Sequence, residues 1–220
     1  MERLVIFGAG QIADVAHFYF TNDSAFDVVG FSVDAGYLRE PSFHGLPVVA
    51  FDELAKAFPP AEHRIFIAMS YVRLNQARAE KLAAAESLGY RAVSYLSTKA
   101  TVWPGLQYGR NCFILEDNTI QPFARIGNNV TLWSGNHIGH HAVIGDNVFI
   151  ASHVVVSGAV KVGDYSFIGV NATIRDNVTI GQSCVIGAGA LILRDTKDLE
   201  VYMGDGSIAS KVPSNRLRGV

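Results

Sequence analysis

The sequence predicts a two-part chain: an α/β N-terminal unit with a small parallel, Rossmann-like sheet, then a C-terminal parallel β-helix. Three observations predict it. An apolar residue recurs at every sixth position, through Val102, Tyr108, Ile114, Ile120, Ile126, Leu132, Ile138, Ile144, Ile150, Val156, Val162, Ile168, Ile174, Ile180, Ile186 and Ile192. Glycine often follows the ladder residue, and Asn or Asp fills many of the remaining corner positions. The residues before the ladder have a different rhythm, in which short apolar runs alternate with helix-forming stretches. Helices repeat near 3.6 residues and strands near 2. A period of six is the mark of a solenoid whose short flat faces each consume one hexamer.

The chain begins with a strand, Leu4 to Phe7, which runs into Gly8-Ala9-Gly10-Gln11-Ile12-Ala13 and a helix to about Thr21. Val28 to Asp34 is a second strand, ending in an acid. Pro47–Val49 and Arg64–Ala68 are further strands, Leu74 to Leu88 is a helix rich in Ala, Glu and Lys, and Ala92 to Leu96 is a last strand before the ladder. Alternation of this kind builds a parallel sheet covered by helices. The glycine turn is a G-x-G-x-x-A variant of the dinucleotide motif, whose physics is a helix N-terminus with backbone N–H groups open to an anion. Asp34 lies where a ribose-binding acid would sit. The turn is open to three readings: a plain strand–helix junction, a nucleotide or nucleotide-sugar site, or a redox-cofactor site.

In the ladder, three hexamers make one triangular coil, so residues 18 apart stack at about the 4.8 Å strand spacing. The position four after each ladder residue is small or modest (Cys112, Ala124, Val130, Ala142, Val148, Val154, Val160, Ser166, Ala172, Val178, Cys184, Ala190), which suits the inner corner of a narrow prism. Cys112 and Cys184 both occupy it; four coils apart, roughly 19 Å at that spacing, they are too distant for a disulfide and read as reduced packing residues. These divisions place domain boundaries at 1–97, 98–195 and a tail, 196–220.

Across 220 residues, 49% are hydrophobic, 17% are charged and the net charge is −2. This composition supports packed cores. No basic stripe suggests a nucleic-acid partner, and no apolar run reaches membrane-spanning length. The N-terminus reads as a strand rather than a signal peptide, which gives the cytoplasm as the expected compartment.

The pairs Ile126-Gly127, Ile144-Gly145, Val162-Gly163, Ile168-Gly169, Ile180-Gly181 and Ile186-Gly187 resemble the left-handed β-helix acyltransferases. With Phe7-Gly8-Ala9-Gly10 ahead of them, nearly the whole chain resembles sugar acyltransferases of the sialic acid O-acetyltransferase and bacillosamine and perosamine N-acetyltransferase type. The resemblance implies a left-handed prism, a homotrimer, acetyl-CoA as donor, a nucleotide-linked amino sugar as acceptor and no metal. It implies that the N-terminal unit holds the nucleotide and that the prism holds CoA between neighbouring subunits.

The resemblance also assigns site residues. His140 matches the general base, a role that suits an imidazole because its ordinary pKa lies close to working pH. His141 stands where such enzymes carry an acid, a real departure, and Glu116 or Asp117 could supply the missing carboxylate. Gly158 follows His140 by one coil, and its backbone N–H is the implied contact for the thioester oxygen. Ser157, Gly158 and Ala159 leave little bulk in the path of the pantetheine arm, and Val170, Ala188 and Lys211 complete the expected CoA contacts. Gly8, Gly10, Gln11 and Asp34, with Ser70, Tyr71 and Arg73 from the loop after a strand, are the expected substrate contacts. Trp133 either stacks on sugar or nucleotide or packs at a trimer seam. Phe149 stands where some relatives place a second histidine; His137 and His153 read as outward or interface residues. O-acetylation of a sugar is the nearest alternative. A γ-type carbonic anhydrase would need a His-x-x-x-x-His pair, and Ala142 fills the position required beside His137. A non-enzymatic sugar-nucleotide-binding solenoid is the third reading.

Overall fold

A computed structural model describes residues 1–206; Lys211 lies outside the described residues. The N-terminal unit is built from β1 (Glu2–Phe7), α1 (Gln11–Asn22), β2 (Phe26–Val33), β3 (Ser42–Phe43), β4 (Leu46–Ala50), α2 (Leu54–Ala57), β5 (His63–Ile67), α3 (Gln76–Ser87) and β6 (Arg91–Ala92). The strand order is β3-β4-β2-β1-β5-β6, parallel throughout except for β3, which pairs antiparallel with β4. The β3–β4 hairpin and α2 are additions to the sequence reading, both too short to show a period.

β1 is central, with β2 on one side and β5 on the other. Its C-terminal end is therefore the point at which the winding of the sheet reverses, the place where open α/β sheets bind ligands. Gly8 sits there because nothing else fits. Its φ is +124°, its N–H donates to Ser32 O (2.8 Å), and a Cβ would lie 2.7 Å from Ala68 O.

Residues 95–202 form a three-sided parallel β-helix of two-residue strands. The first face holds seven strands, from Tyr95–Leu96 through Phe113–Ile114 and Thr131–Leu132 to Val201–Tyr202. The second holds six, from Thr101–Val102 to Leu191–Ile192, and the third five, from Gln107–Tyr108 to Thr179–Ile180. The ladder residues from Ile114 to Ile192 point inward and are buried together with the small corner residues, Cys112 and the free Cys184 among them. Tyr108 is the exception, 41% exposed, because its strand ends the third face with no coil beneath it.

Both expected boundaries shift. The apolar stretch 92–96 reads as one strand but serves two sheets: Ala92 pairs with Ile65 in the N-terminal sheet, and Tyr95–Leu96 pairs with Phe113–Ile114 in the prism. At the far end Tyr202 pairs with Ile186, only 16 residues away, so the last coil is two residues short of the period and escaped the ladder.

The N-terminal unit docks on the first face. Phe113, Leu115, Trp133 and Tyr95 share a core with Phe20, Phe31 and Phe66. Arg78 of α3 crosses the seam fully buried, donating to Ile67 O (3.1 Å), Asn111 O (2.8 Å), Asn129 O (2.8 Å) and Thr131 Oγ1 (2.9 Å). Asn75 Nδ2 donates to Asn147 O (2.8 Å), and Tyr19 OH donates to Glu116 (2.5 Å). Every one of these contacts lies on the first face or on one of the two corners that border it.

Candidate active site

His140 and His141 lie on the remaining corner, where the second and third faces meet, between strands His137–Ile138 and Val143–Ile144. His141 adopts the left-handed conformation (φ 61°), as do the equivalent Phe123 (φ 67°) and Ala159 (φ 58°) one coil either side. The corner turns sharply enough to expose both imidazoles. His140 N donates to Gln121 Oε1 (2.9 Å), and His140 O accepts from Ala159 N (2.8 Å), which fixes the residue to both neighbouring coils.

The imidazole of His140 rests against Gly158. A Cβ at 158 would stand 2.7 Å from both Cε1 and Nε2 of the ring. The absence of a side chain there makes room for the imidazole itself. Among the described residues the N–H of Gly158 has no acceptor, whereas the corresponding N–H of His140 is taken by Gln121. A backbone donor without a partner therefore lies beside an imidazole.

Nδ1 of His140 lies 3.1 Å from Nδ1 of His141. One of the two nitrogens carries the proton. When His140 donates through Nδ1, its Nε2 is left bare on the side of Gly158, the tautomer a base needs. In that tautomer His141 accepts the bond at the position where the resemblance places an acid. Glu116, offered above as a substitute carboxylate, lies on the corner between the first and second faces, where its carbonyl accepts from Gly135 N (3.2 Å) and its carboxylate accepts from Tyr19 OH. Asp117 adjoins it there.

The other sequence-predicted residues fall into separate groups. Ser157 and Ala159 flank Gly158 on the histidine corner. Val170 and Ala188 are exposed on the Glu116 corner, away from His140 within one chain. Gly8, Asp34 and Arg73 line a cavity of about 600 Å³ with Phe7, Tyr37 and Lys81 at the switch point of the sheet. Asp34 pairs with Lys81, whose ammonium lies 4.1 Å from the Phe51 ring centre and 4.8 Å from that of Phe7. Gly10 caps α1 and lines a neighbouring cavity of about 470 Å³ with Tyr37, Arg39 and Phe43; Gln11 is exposed at the first position of α1. Ser70 and Tyr71 lead into a left-handed run, Arg73 to Asn75, and Tyr71 packs on Phe149 (4.9 Å) and Phe167 (4.8 Å). Trp133 belongs to the seam between the two units, with Phe113 and Phe149 each 6.5 Å away. Within the chain it is partly buried there.

His137 sits within a strand, paired with Thr119 and Val155, and His153 lies on the Glu116 corner against Gly135. Among the described residues no three His, Cys, Asp or Glu side chains are placed to hold a metal ion, and no helix is long and apolar enough to cross a membrane.

Sequence reasoning missed Arg78, a single arginine in an Ala-rich helix. It also missed which face the N-terminal unit covers. A signal for the latter exists: the outward residues of the first face are Tyr95, Phe113, Thr131, Phe149, Phe167, Val185 and Val201, an aromatic stripe found on neither other face.

The site is thus an imidazole and a free backbone N–H on one corner of a coiled prism, joined to a doubly wound parallel sheet. Residues 123–158 and 159–194 each match the bacterial transferase hexapeptide (six repeats) family, and the prism is a left-handed β-helix of that kind. Among solved structures the chain is similar to perosamine N-acetyltransferase from Caulobacter crescentus in complex with CoA and GDP-perosamine (25% identity, 91% of this chain and 93% of that one, TM-score 0.78). It is similar in fold to the acetyltransferase domain of PglB from Neisseria gonorrhoeae in complex with acetyl coenzyme A (23%, 91% and 95%, TM-score 0.77) and to WeeI from Acinetobacter baumannii (21%, 91% and 96%, TM-score 0.67). Comparison with curated protein sequences gives no significant match.

Proposed function

We propose that this chain is a CoA-dependent N-acetyltransferase that acylates the amino group of a nucleotide-linked amino sugar in the cytoplasm. The observation that carries the reading is the His140 imidazole packed against Gly158, whose N–H is free, on a hexapeptide prism. The likeness over nine-tenths of the chain to an enzyme crystallised with CoA and GDP-perosamine supports the donor and the class of acceptor.

The acceptor amine bonds to the thioester carbon and gives up its proton to Nε2 of His140. The Gly158 N–H meets the charge that develops on the thioester oxygen. The C–S bond breaks, and the thiolate recovers the proton, so the products are an amide and free CoA thiol. A histidine in the place of an acid suits an amine acceptor. A hydroxyl is a far weaker acid than an ammonium and would call for the charged partner that this pair lacks.

Within one chain the cavities at Gly8 and Gly10 and the histidine corner are on opposite sides of the prism, because the N-terminal unit covers the first face. The reading therefore requires a second copy to bring its nucleotide site to this His140, as a homotrimer does. The second face supports self-association: its outward residues, Thr101, Thr119, His137, Val155, Thr173 and Leu191, include no Lys, Arg, Asp or Glu.

The test is a screen of amino-sugar nucleotides with acetyl-CoA, read by thiol release. Absence of transfer with every acceptor would overturn the activity. Mixing His140→Ala subunits with Gly10→Glu subunits tests the shared site. A Cβ at Gly10 meets nothing within 4 Å, so that side chain enters the cavity without disturbing the fold. Activity should return in the mixture, and its failure to return would place both groups in one chain's site.

A further inference from the structure

The histidine corner continues, one coil toward the N-terminus, into a cavity of about 530 Å³ that, apart from His141, is lined by residues with no role assigned above in binding or catalysis. That volume is ordinary for a small-molecule site. Its walls include Trp103, Gln121, Phe123, Arg125 and His141. Trp103 is 62% exposed and Phe123 74%, an unusual display for residues of this size. The Phe123 ring lies 4.8 Å from that of His141, so the cavity is continuous with the catalytic pair. Gln121, at its edge, is the residue that holds the His140 backbone. The exposed Arg125 has no carboxylate within ion-pair distance among the described residues, so its guanidinium is open to a ligand.

The two sides of the histidine pair are unequal. Toward the C-terminus stand Gly158 and Ala159, small residues over which a slender chain can pass. Toward the N-terminus stand two open aromatic faces and a free cation. Aromatic faces of this kind pack against the C–H faces of sugar rings, and a guanidinium pairs with a phosphate. Resting on the functional reading above, we propose that this cavity is the acceptor subsite. The sugar ring lies against Phe123 and Trp103, its diphosphate pairs with Arg125, and its amino group reaches His140 from the side opposite the donor. Phe123 and Trp103 are then specificity-determining residues and Arg125 a positioning residue for the acceptor.

The test is steady-state kinetics of Phe123→Ala, Phe123→Tyr, Trp103→Ala and Arg125→Gln, with each substrate varied in turn. Phe123→Ala and Trp103→Ala should each raise KM for the nucleotide-linked amino sugar about three- to tenfold and leave KM for acetyl-CoA within twofold; Phe123→Tyr should restore the acceptor KM. Arg125→Gln should raise KM for the nucleotide-linked acceptor but not for the same amino sugar without its diphosphate. An unchanged acceptor KM in all three loss variants, or a rise in KM for acetyl-CoA instead, would overturn the subsite. So would dissociation of the oligomer by Phe123→Ala in sedimentation, which would make the aromatic pair a subunit contact. These outcomes all presuppose an active wild-type enzyme, whereas a wild type inactive with every acceptor sinks the functional reading itself.

Discussion

Where the third face meets the first, side chains of the prism close on the next coil. Asn128 N donates to Asp146 Oδ1 (2.7 Å) and Asp146 N to Asp164 Oδ1 (2.8 Å). Beside them runs a ladder of buried amides, Asn111 to Asn129 (2.7 Å) and Asn129 to Asn147 (2.8 Å). Where the second face meets the third, the stacked residues are Pro122, His140, Gly158 and Asp176, and the ladder is broken. The same hexapeptide backbone supports both. The first corner spends its polar groups on itself and on the N-terminal unit, through Arg78 and Asn75. The second leaves an imidazole and an N–H exposed. A regular repeat gains chemistry where its self-satisfying side chains are interrupted, because only there do polar groups remain for a substrate.

The sharpest way to break this comparison is at the open corner. His140→Ala should reduce kcat on the order of 10²- to 10⁴-fold while circular dichroism and the melting midpoint stay unchanged, since the ring is exposed. For an amine acceptor the loss should shrink as pH rises and more of the amine loses its own proton. A loss that persists undiminished at high pH would favour a hydroxyl acceptor. Gly158→Ala should come close behind. Its Cβ would collide with the imidazole, 2.7 Å away, and a displacement of about 1 Å costs on the order of 10²-fold in rate. KM for acetyl-CoA should move less than kcat; the reverse result would show that Gly158 serves the donor rather than the base.

The closed corner should respond in the opposite way. Burial pulls the Arg78 guanidinium down to about 10, so it stays charged at neutral pH while bonded only to uncharged acceptors. Arg78→Met would leave three buried carbonyls without their donor. The expected loss is about 2–4 kcal/mol, a fall of roughly 5–15 °C in melting midpoint, with kcat of the folded fraction retained. A large fall in kcat without a change in melting would contradict the division between the corners.

How much of this was legible follows the same division. The period of six fixed each corner's residues and put His140 under Gly158, because stacking is arithmetic once three hexamers make a coil. Where the period fails, so does the reading. Tyr95–Leu96 is in phase but is hidden in a longer apolar run shared with β6, and Val201–Tyr202 falls two residues out of phase. Contacts between the two units left one trace, the aromatic stripe of the first face, whereas Arg78 and Trp133 carry no pattern of their own that marks the docking. Trp133 reads from sequence as either a ligand platform or a trimer-seam residue; within the chain it packs, partly buried, against the core between the two units. The same ignorance of docking left open whether one chain could complete its own site.

A smaller effect tests the seam from its other edge. Asp23, at the C-terminal end of α1, accepts hydrogen bonds from the Thr98 side chain and backbone N–H (3.0 Å), Tyr95 OH (2.6 Å) and Ser97 Oγ (3.3 Å), all from the first turn of the prism. These bonds, those from Thr98 and Tyr95 foremost, hold its carboxyl down at about 2. A depressed folded-state value means the stabilisation is fully present above the ordinary carboxylate value of 3.8 and is lost as pH falls through about 2. Denaturant midpoints measured across that window should therefore fall with acidification in the wild type. In Asp23→Asn the midpoint should start lower at pH 5 and lose part of its slope between about pH 4 and 2, with activity at neutral pH intact. An unchanged slope would mean that Tyr95, Ser97 and Thr98 hold the two units together without the carboxylate charge.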